Sequence, residues 1–381
     1  MRDVAIIGVG MTPVSEHWDQ GLRMLAADAI QKALTDAAVQ TVDALYVGNA
    51  YGTAFSSQSH LGALIADYAG LKGVEAFTIE AGDASGGAAL RAAYLAVKSG
   101  EVETALVLGV EKSADSIGST RTEARSVSLD ADFEAIHGAT LPALAALMMR
   151  RYMHEYQVSL EAFEGFSINA HANGKRNAYA MFRNTVKPGA FAKAPMVADP
   201  VNLFDGAPDA DGAAALVLTS AERAADLVSQ PVLIAGSGVA TDTFALQDRA
   251  DLLYLEAVAK STQKAFAQAN ITVEDVDLFE LHDAFTILST LSLEAAGFTP
   301  RGEGWKLADG QKLPMSTFGG LKSRGNPAGA TGIYQAVEAC LQLRGAAGEN
   351  QVDNARVALI QSLGGLASTA VTHVLRVSES L

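Results

Sequence analysis

The residues whose spacing bears on chemistry begin with a glycine-rich run, Phe318-Gly319-Gly320-Leu321-Lys322-Ser323-Arg324-Gly325-Asn326-Pro327-Ala328-Gly329-Ala330-Thr331-Gly332. A loop of this kind leading into a helix offers backbone N–H donors and the positive end of a helix dipole, which suit an anion. Pro327 fits a first helical position, with Asn326 just before it. Gly320 and Gly325 have P-loop spacing, but Asn326-Pro327 stands where Lys-Ser/Thr is needed, so that motif fails. Gly8-Val9-Gly10 lacks the third glycine of a dinucleotide fingerprint and reads as a strand-end turn. The seven His residues form no HxxxH or HExxH pair, so no metal site is expected.

Charge gives a second feature. The chain carries 28 Lys+Arg against 43 Asp+Glu, a formal net charge of −15. Yet Lys175, Arg176, Arg183, Lys187 and Lys193 share one stretch without any Asp or Glu. This local reversal suits an anionic cofactor, a solvated loop or a subunit contact. The overall acidity argues against a general nucleic-acid binder. The single Cys, Cys340, excludes an internal disulfide and a Cys-based zinc site. No apolar run approaches the ~20 residues that span a bilayer. The start, MRDVAIIG, enters a strand pattern without signal-peptide features, so a soluble, cytoplasmic protein is expected.

These features need elements to hold them. Strand-like runs at Val4–Gly8, Ala44–Val47, Val74–Ile79 and Ala105–Val110 alternate with helical spacing at 22–34, 60–68 and 83–97. That alternation predicts an α/β fold with mostly parallel pairing. Residues 111–200 carry few strand signals and several helical ones, and read as an insertion over the sheet. Ala213–Leu218 returns to strand. The pattern then restarts: Val4-Ala5-Ile6-Ile7-Gly8-Val9-Gly10 is echoed by Val232-Leu233-Ile234-Ala235-Gly236-Ser237-Gly238. Val42–Leu45 is echoed by Val276–Phe279, and Ala84–Ala88 by Pro327–Thr331. Two matching halves, 1–230 and 231–381, predict a duplicated unit whose glycine-bearing helix starts face one central site.

The run from Phe318 to Gly332 resembles the loop of the thiolase superfamily, which usually reads Gly-His-Pro-x-Gly-Ala-Thr-Gly. Glu280-Leu281-His282-Asp283-Ala284-Phe285 resembles the second signature, in the form of sterol-carrier-protein-type and archaeal thiolases. Glu80–Ala89 resembles the nucleophile segment, Asp209–Ala215 a recurrent strand entry, and Gln361-Ser362-Leu363-Gly364-Gly365 the C-terminal turn. The resemblance covers essentially the whole chain. It implies a layered α-β-α-β-α core with an inserted loop domain.

The departures bear on mechanism. Asp83 stands where thiolases carry the acyl-accepting Cys, and Asn326 where the motif has His. Cys340 has ordinary helical packing spacing. An Asp cannot form an acyl thioester, so Asp83 is a helix cap, a base or a substitute for the acyl group. By the resemblance, His282 and Asn326 hold the place of the machinery that stabilises a thioester enolate. This implies carbon–carbon chemistry without an acyl-enzyme, such as retro-aldol cleavage of a β-hydroxyacyl-CoA, as in thiolase-like aldolases of steroid side-chain breakdown. A thiolase-type acyltransferase and a non-catalytic acyl-CoA-binding scaffold are the alternatives. Candidate bases are Asp83 and Tyr334, with His137 a weaker one; Tyr334 could instead pack on the loop. Coenzyme A is the expected cosubstrate, with Lys175, Arg176, Arg183, Lys322, Gly325 and Gly364 at its site and Arg324 assisting. The resemblance further implies a homodimer and an OB-fold, zinc-ribbon partner protein.

Overall fold

The computed structural model describes residues 2–378. The first strand, β1 (Val4–Met11), is followed by α1 (Leu22–Asp36), β2 (Ala44–Gly48), the short α2 (Gly52–Ser56) and α3 (Leu61–Tyr68). Next come β3 (Glu75–Ile79), α4 (Ser85–Ser99) and β4 (Thr104–Glu111). Gly100, at φ 92°, ends α4 in the left-handed conformation that glycine adopts without a Cβ penalty. The insertion holds α5 (Ser119–Ser126), α6 (Leu141–Tyr156), α7 (Glu164–Gly174) and a small ribbon of β5 (Met196–Ala198) and β6 (Val201–Asn202). Thr140 caps α6 through the Ala143 N–H, with Pro142 in its first turn. The chain re-enters the sheet in β7 (Gly212–Ser220) and passes through α8 (Ala221–Leu227). The second half runs β8 (Val232–Thr241), α9 (Glu256–Ala269), β9 (Leu278–Glu280), α10 (Thr286–Ala295), α11 (Thr331–Leu343), β10 (Val357–Gly364) and β11 (Thr369–Val377).

The nine main strands are ordered β3-β2-β4-β7-β1-β8-β11-β10-β9. Within the main sheet, the halves join where β1 pairs with β8, at Ala5–Leu233 and Ile6–Val232. Helices α4 and α11 pack on each other and on both half-sheets, while α1 and α9 cover the outer faces. The result is five layers, α-β-α-β-α.

Pairing is more mixed than the strand–helix alternation predicts. It is parallel for β3–β2, β2–β4 and β10–β9, and antiparallel elsewhere in the main sheet. For one of these pairs the cause is connection length. A parallel neighbour requires a crossover, whereas β11 follows β10 through a tight turn at 365–368 and so pairs as a hairpin.

The repeated Gly-x-Gly is also explained differently. Gly8 and Gly10 lie within β1, and Gly236 and Gly238 within β8, not in turns. A Cβ on any of them would collide with the backbone carbonyl of a crossing helix: Ala33 and Ala29 in α1, Ala265 and Ser261 in α9. The motif lets each outer helix lie directly on its strand.

Candidate active site

The starts of α4 and α11 face each other across the middle layer. A Cβ on Gly332 would strike the backbone N of Gly87, and one on Gly86 would come within 2.8 Å of the Gly329 carbonyl. This backbone contact brings the segment before α4, carrying Asp83, beside the segment before α11, carrying Asn326. His282 follows the end of β9, and the Gly364-Gly365 turn lies against Ala81 and Gly82.

Asp83 is buried, and four donors meet its carboxylate. Tyr51 Oη donates to Oδ1 at 2.9 Å. Arg125 forms a two-pronged pair, Nη1 to Oδ1 at 2.9 Å and Nη2 to Oδ2 at 3.0 Å. Asn326 Nδ2 donates to Oδ2 at 3.3 Å. Burial alone would raise the carboxyl pKa, but the charge of Arg125 and these hydrogen bonds outweigh it and hold the pKa below its ordinary value. Asp83 is therefore an ionised, saturated acceptor. It is not a helix cap: Ala84 occupies the cap position of α4 and no side chain caps it.

Asn326 is fixed at both ends of its amide. Its Oδ1 accepts from the Ala328 N–H and from Thr331 Oγ1, both at 3.0 Å, leaving Nδ2 aimed at Asp83. Pro327 is not helical (φ −82°, ψ 47°); a single turn at 328–330 intervenes before α11 begins at Thr331. His282 is buried, and its Nδ1 has no partner among the described residues. Burial drives its pKa down to about 4, only partly opposed by the Asp83 charge, so the imidazole is neutral near pH 7. A neutral imidazole and an amide N–H, both with donor capacity, thus flank a fixed carboxylate.

Several expected roles are corrected. Tyr334 is fully buried and donates to the Thr12 carbonyl at 2.9 Å, with Thr12 Oγ1 at 3.1 Å. Burial raises its pKa, so it is a packing residue and not a base. Lys322 is buried and donates to the Asp205 carbonyl. Arg324 is fully buried in an ion pair with Glu338 at 2.7 Å and stacks under the Tyr334 ring. Neither is open to a CoA phosphate. His137 sits exposed at the end of the 135–137 turn and is not among the hydrogen-bond partners of Asp83. Cys340 is buried, and its thiol is pushed up to about 12 by burial, as suits a packing position.

Other candidates fall beside the site. Gly325 has φ 106°, and a Cβ there would press on Val14. Lys175, Arg176, Arg183, Lys187 and Lys193 are all exposed. Their stretch docks on the glycine-rich loop: Met181 and Phe182 donate backbone N–H bonds to the Arg324 and Ser323 carbonyls, each at 2.9 Å.

Three site residues went unseen in the sequence. Arg125 comes from the polar α5, and Tyr51 from the β2–α2 connection; its ring lies 4.7 Å from the Arg125 guanidinium carbon. Glu111 accepts from the Ala50 N–H at 3.0 Å, the Gly329 N–H at 3.2 Å and Asn49 Nδ2 at 2.9 Å. It ties the Tyr51 segment to the start of α11, and burial raises its pKa to about 7. No spacing rule links positions so far apart in the chain.

Comparison with known proteins agrees with this architecture. Residues 4–197 match the thiolase N-terminal domain and 238–377 the thiolase C-terminal domain-like family. The chain is 40% identical to an acetyl-CoA acetyltransferase of Methanothermobacter thermautotrophicus, over 98% of this chain and 99% of that one. It is 31% identical to rat (Rattus norvegicus) sterol carrier protein 2, over 98% of this chain and 72% of that protein. Among solved structures, an Ltp2-ChsH2(DUF35) aldolase superposes with a TM-score of 0.86 at 24% identity, covering 100% of this chain and 99% of that one. Fold and sequence relationship agree: the chain belongs to the thiolase superfamily.

Proposed function

We propose that this protein cleaves a carbon–carbon bond in a CoA thioester by a retro-aldol reaction, without an acyl-enzyme. The observation that carries this reading is the Asp83–Arg125 pair. The nucleophile's position holds a carboxylate whose lone pairs are engaged by Arg125, Tyr51 and Asn326. Beside it, His282 and Asn326 keep the donors that stabilise an enolate. A β-hydroxyacyl-CoA needs only that stabilisation and a base.

The exposed cations of 175–193, docked beside the glycine-rich loop, support CoA phosphate binding there. The outer strand β3 has one free edge and a 56% exposed Phe77, which supports pairing with a second copy in a homodimer. The likeness to the Ltp2-ChsH2(DUF35) aldolase favours a partner protein of the OB-fold, zinc-ribbon type. Among the described residues no helix is long and apolar enough to cross a membrane.

Incubation with a series of β-hydroxyacyl-CoA thioesters, with and without such a partner, should give a ketone or aldehyde plus a shortened acyl-CoA by mass spectrometry. Absence of both products across the series removes the reading. The second reading is acyl transfer, favoured by the acetyl-CoA acetyltransferase relatives. It requires labelled acetyl-CoA to leave its acyl group on the protein, which the occupied Asp83 carboxylate disfavours.

A further inference from the structure

We propose that Asp209 is the proton acceptor of this site, an assignment that rests on the carbon–carbon cleavage reading above. That reaction needs a carboxylate or imidazole able to take a proton from a bound hydroxyl. Asp83 is the nearest to the former nucleophile's place, but four donors already engage both of its oxygens. Glu111 is buried and spends its oxygens on backbone N–H groups of two segments. Tyr334 is committed to Thr12.

Asp209 is placed differently. Its one ion-pair partner among the described residues is Arg125, through Nε to Oδ1 at 3.3 Å. Its side chain is 22% exposed, against 7% for Asp83 across the same guanidinium. Arg125 therefore separates an inner, saturated carboxylate from an outer, part-exposed one. Asp209 is also tied in register to the enolate donor. It forms a backbone bridge with Asn326, flanked by Asn326 N–H to the Pro208 carbonyl at 2.9 Å and Ala210 N–H to the Asn326 carbonyl at 3.2 Å. An acceptor for the hydroxyl proton thus sits directly across a backbone bridge from a donor for the thioester oxygen.

The step balances within the substrate. Asp209 takes the β-hydroxyl proton, the oxygen's electron pair forms the new C=O, and the Cα–Cβ bond breaks. The bond pair passes to Cα and the thioester oxygen as an enolate, held by Asn326 and His282. The carboxylic acid of Asp209 then protonates Cα, which restores the carboxylate. One hydroxyacyl thioester yields one carbonyl compound and one shorter acyl thioester, with no other reactant.

The test compares wild type, Asp209→Asn, Asp209→Glu and Asp209→Ala on β-hydroxyacyl-CoA thioesters, with thermal unfolding measured alongside. Asp209→Asn should lower kcat by about 10²–10⁴-fold and leave KM within a few-fold. Added formate should restore part of the Asp209→Ala rate in a concentration-dependent way, and Asp209→Glu should retain more activity than Asp209→Asn. A residue that merely steadies Arg125 would show no formate rescue and equal losses in Glu and Asn variants; that result overturns the assignment, as does an Asp209→Asn enzyme within twofold of wild type. If wild type itself cleaves nothing, the cleavage reading falls and takes the assignment with it. If Asp209→Ala does not fold, the Glu–Asn difference alone decides.

Discussion

Two charged clusters lie on either side of the glycine-rich loop, and they use charge for different ends. The inner cluster joins Arg324 to Glu338, sets Lys322 among Asp205 and Asp283, and hangs the loop on acidic residues: Asp283 accepts from the Leu321 N–H at 2.7 Å, and Glu280 from Thr317. All of these side chains are buried. The outer cluster joins Arg125 to Asp83 and Asp209, and two of its three members reach solvent in part, at 15% and 22%. The inner cluster fixes the loop's shape, while the outer one is partly open to solvent. Basic residues on a glycine-rich loop therefore do not mark an anion site by themselves; the direction in which they point decides.

The largest break in that comparison is expected at the inner cluster. Arg324→Ala leaves Glu338 buried without its cation, and should cost about 3–5 kcal/mol in a urea or thermal denaturation curve. A loss no larger than that of a surface variant would mean that the inner cluster is not structural. Asp83→Asn should cost less, about 2 kcal/mol at neutral pH, because Arg125 keeps Asp209. The sign of its pH dependence follows from the lowered pKa of Asp83. The ion pair stabilises above the usual carboxyl value of 3.8 and is lost as pH falls through the lower folded value, so the wild-type advantage in Tm should vanish in acid. An advantage independent of pH would mean that the pair is not ionic. The smallest effect belongs to the exposed cations. Replacing Lys175, Arg183 and Lys187 with Ala should raise KM for the acyl-CoA a few-fold, less so at high salt, with Tm unchanged.

Much of the fold was legible because its signals are local. The strand–helix alternation, the 141–156 helix and the echo of β1 in β8 all lie in short windows where periodicity and glycine placement act directly. The antiparallel strands were less so, since direction depends on where a returning chain enters the sheet. Asp83, His282 and Asn326 were reachable because they sit in long motifs of a familiar kind, and the structure gathers them. Arg125 was not reachable: α5 (STRTEARS) is a polar surface helix by composition, and its Arg lies 42 residues from Asp83. Lys322 and Arg324 misled for the opposite reason. Their carboxylate partners Asp205, Asp283 and Glu338 are scattered along the chain, so the local sequence shows the cations without what neutralises them.

The glycine contact between the starts of α4 and α11 has a consequence for any variant of the site. Asp83 precedes α4, whereas His282 follows β9 and Asn326 precedes α11, much further along the chain. The residues proposed for the chemistry are thus split across a seam, and Asn326 Nδ2 reaches over it to Asp83 at 3.3 Å, so a change on one side is felt directly on the other. Alanine at Gly86 or Gly332 would force those sides apart by a single methyl group. A gap with no room for one carbon atom thus couples the two sides of the site.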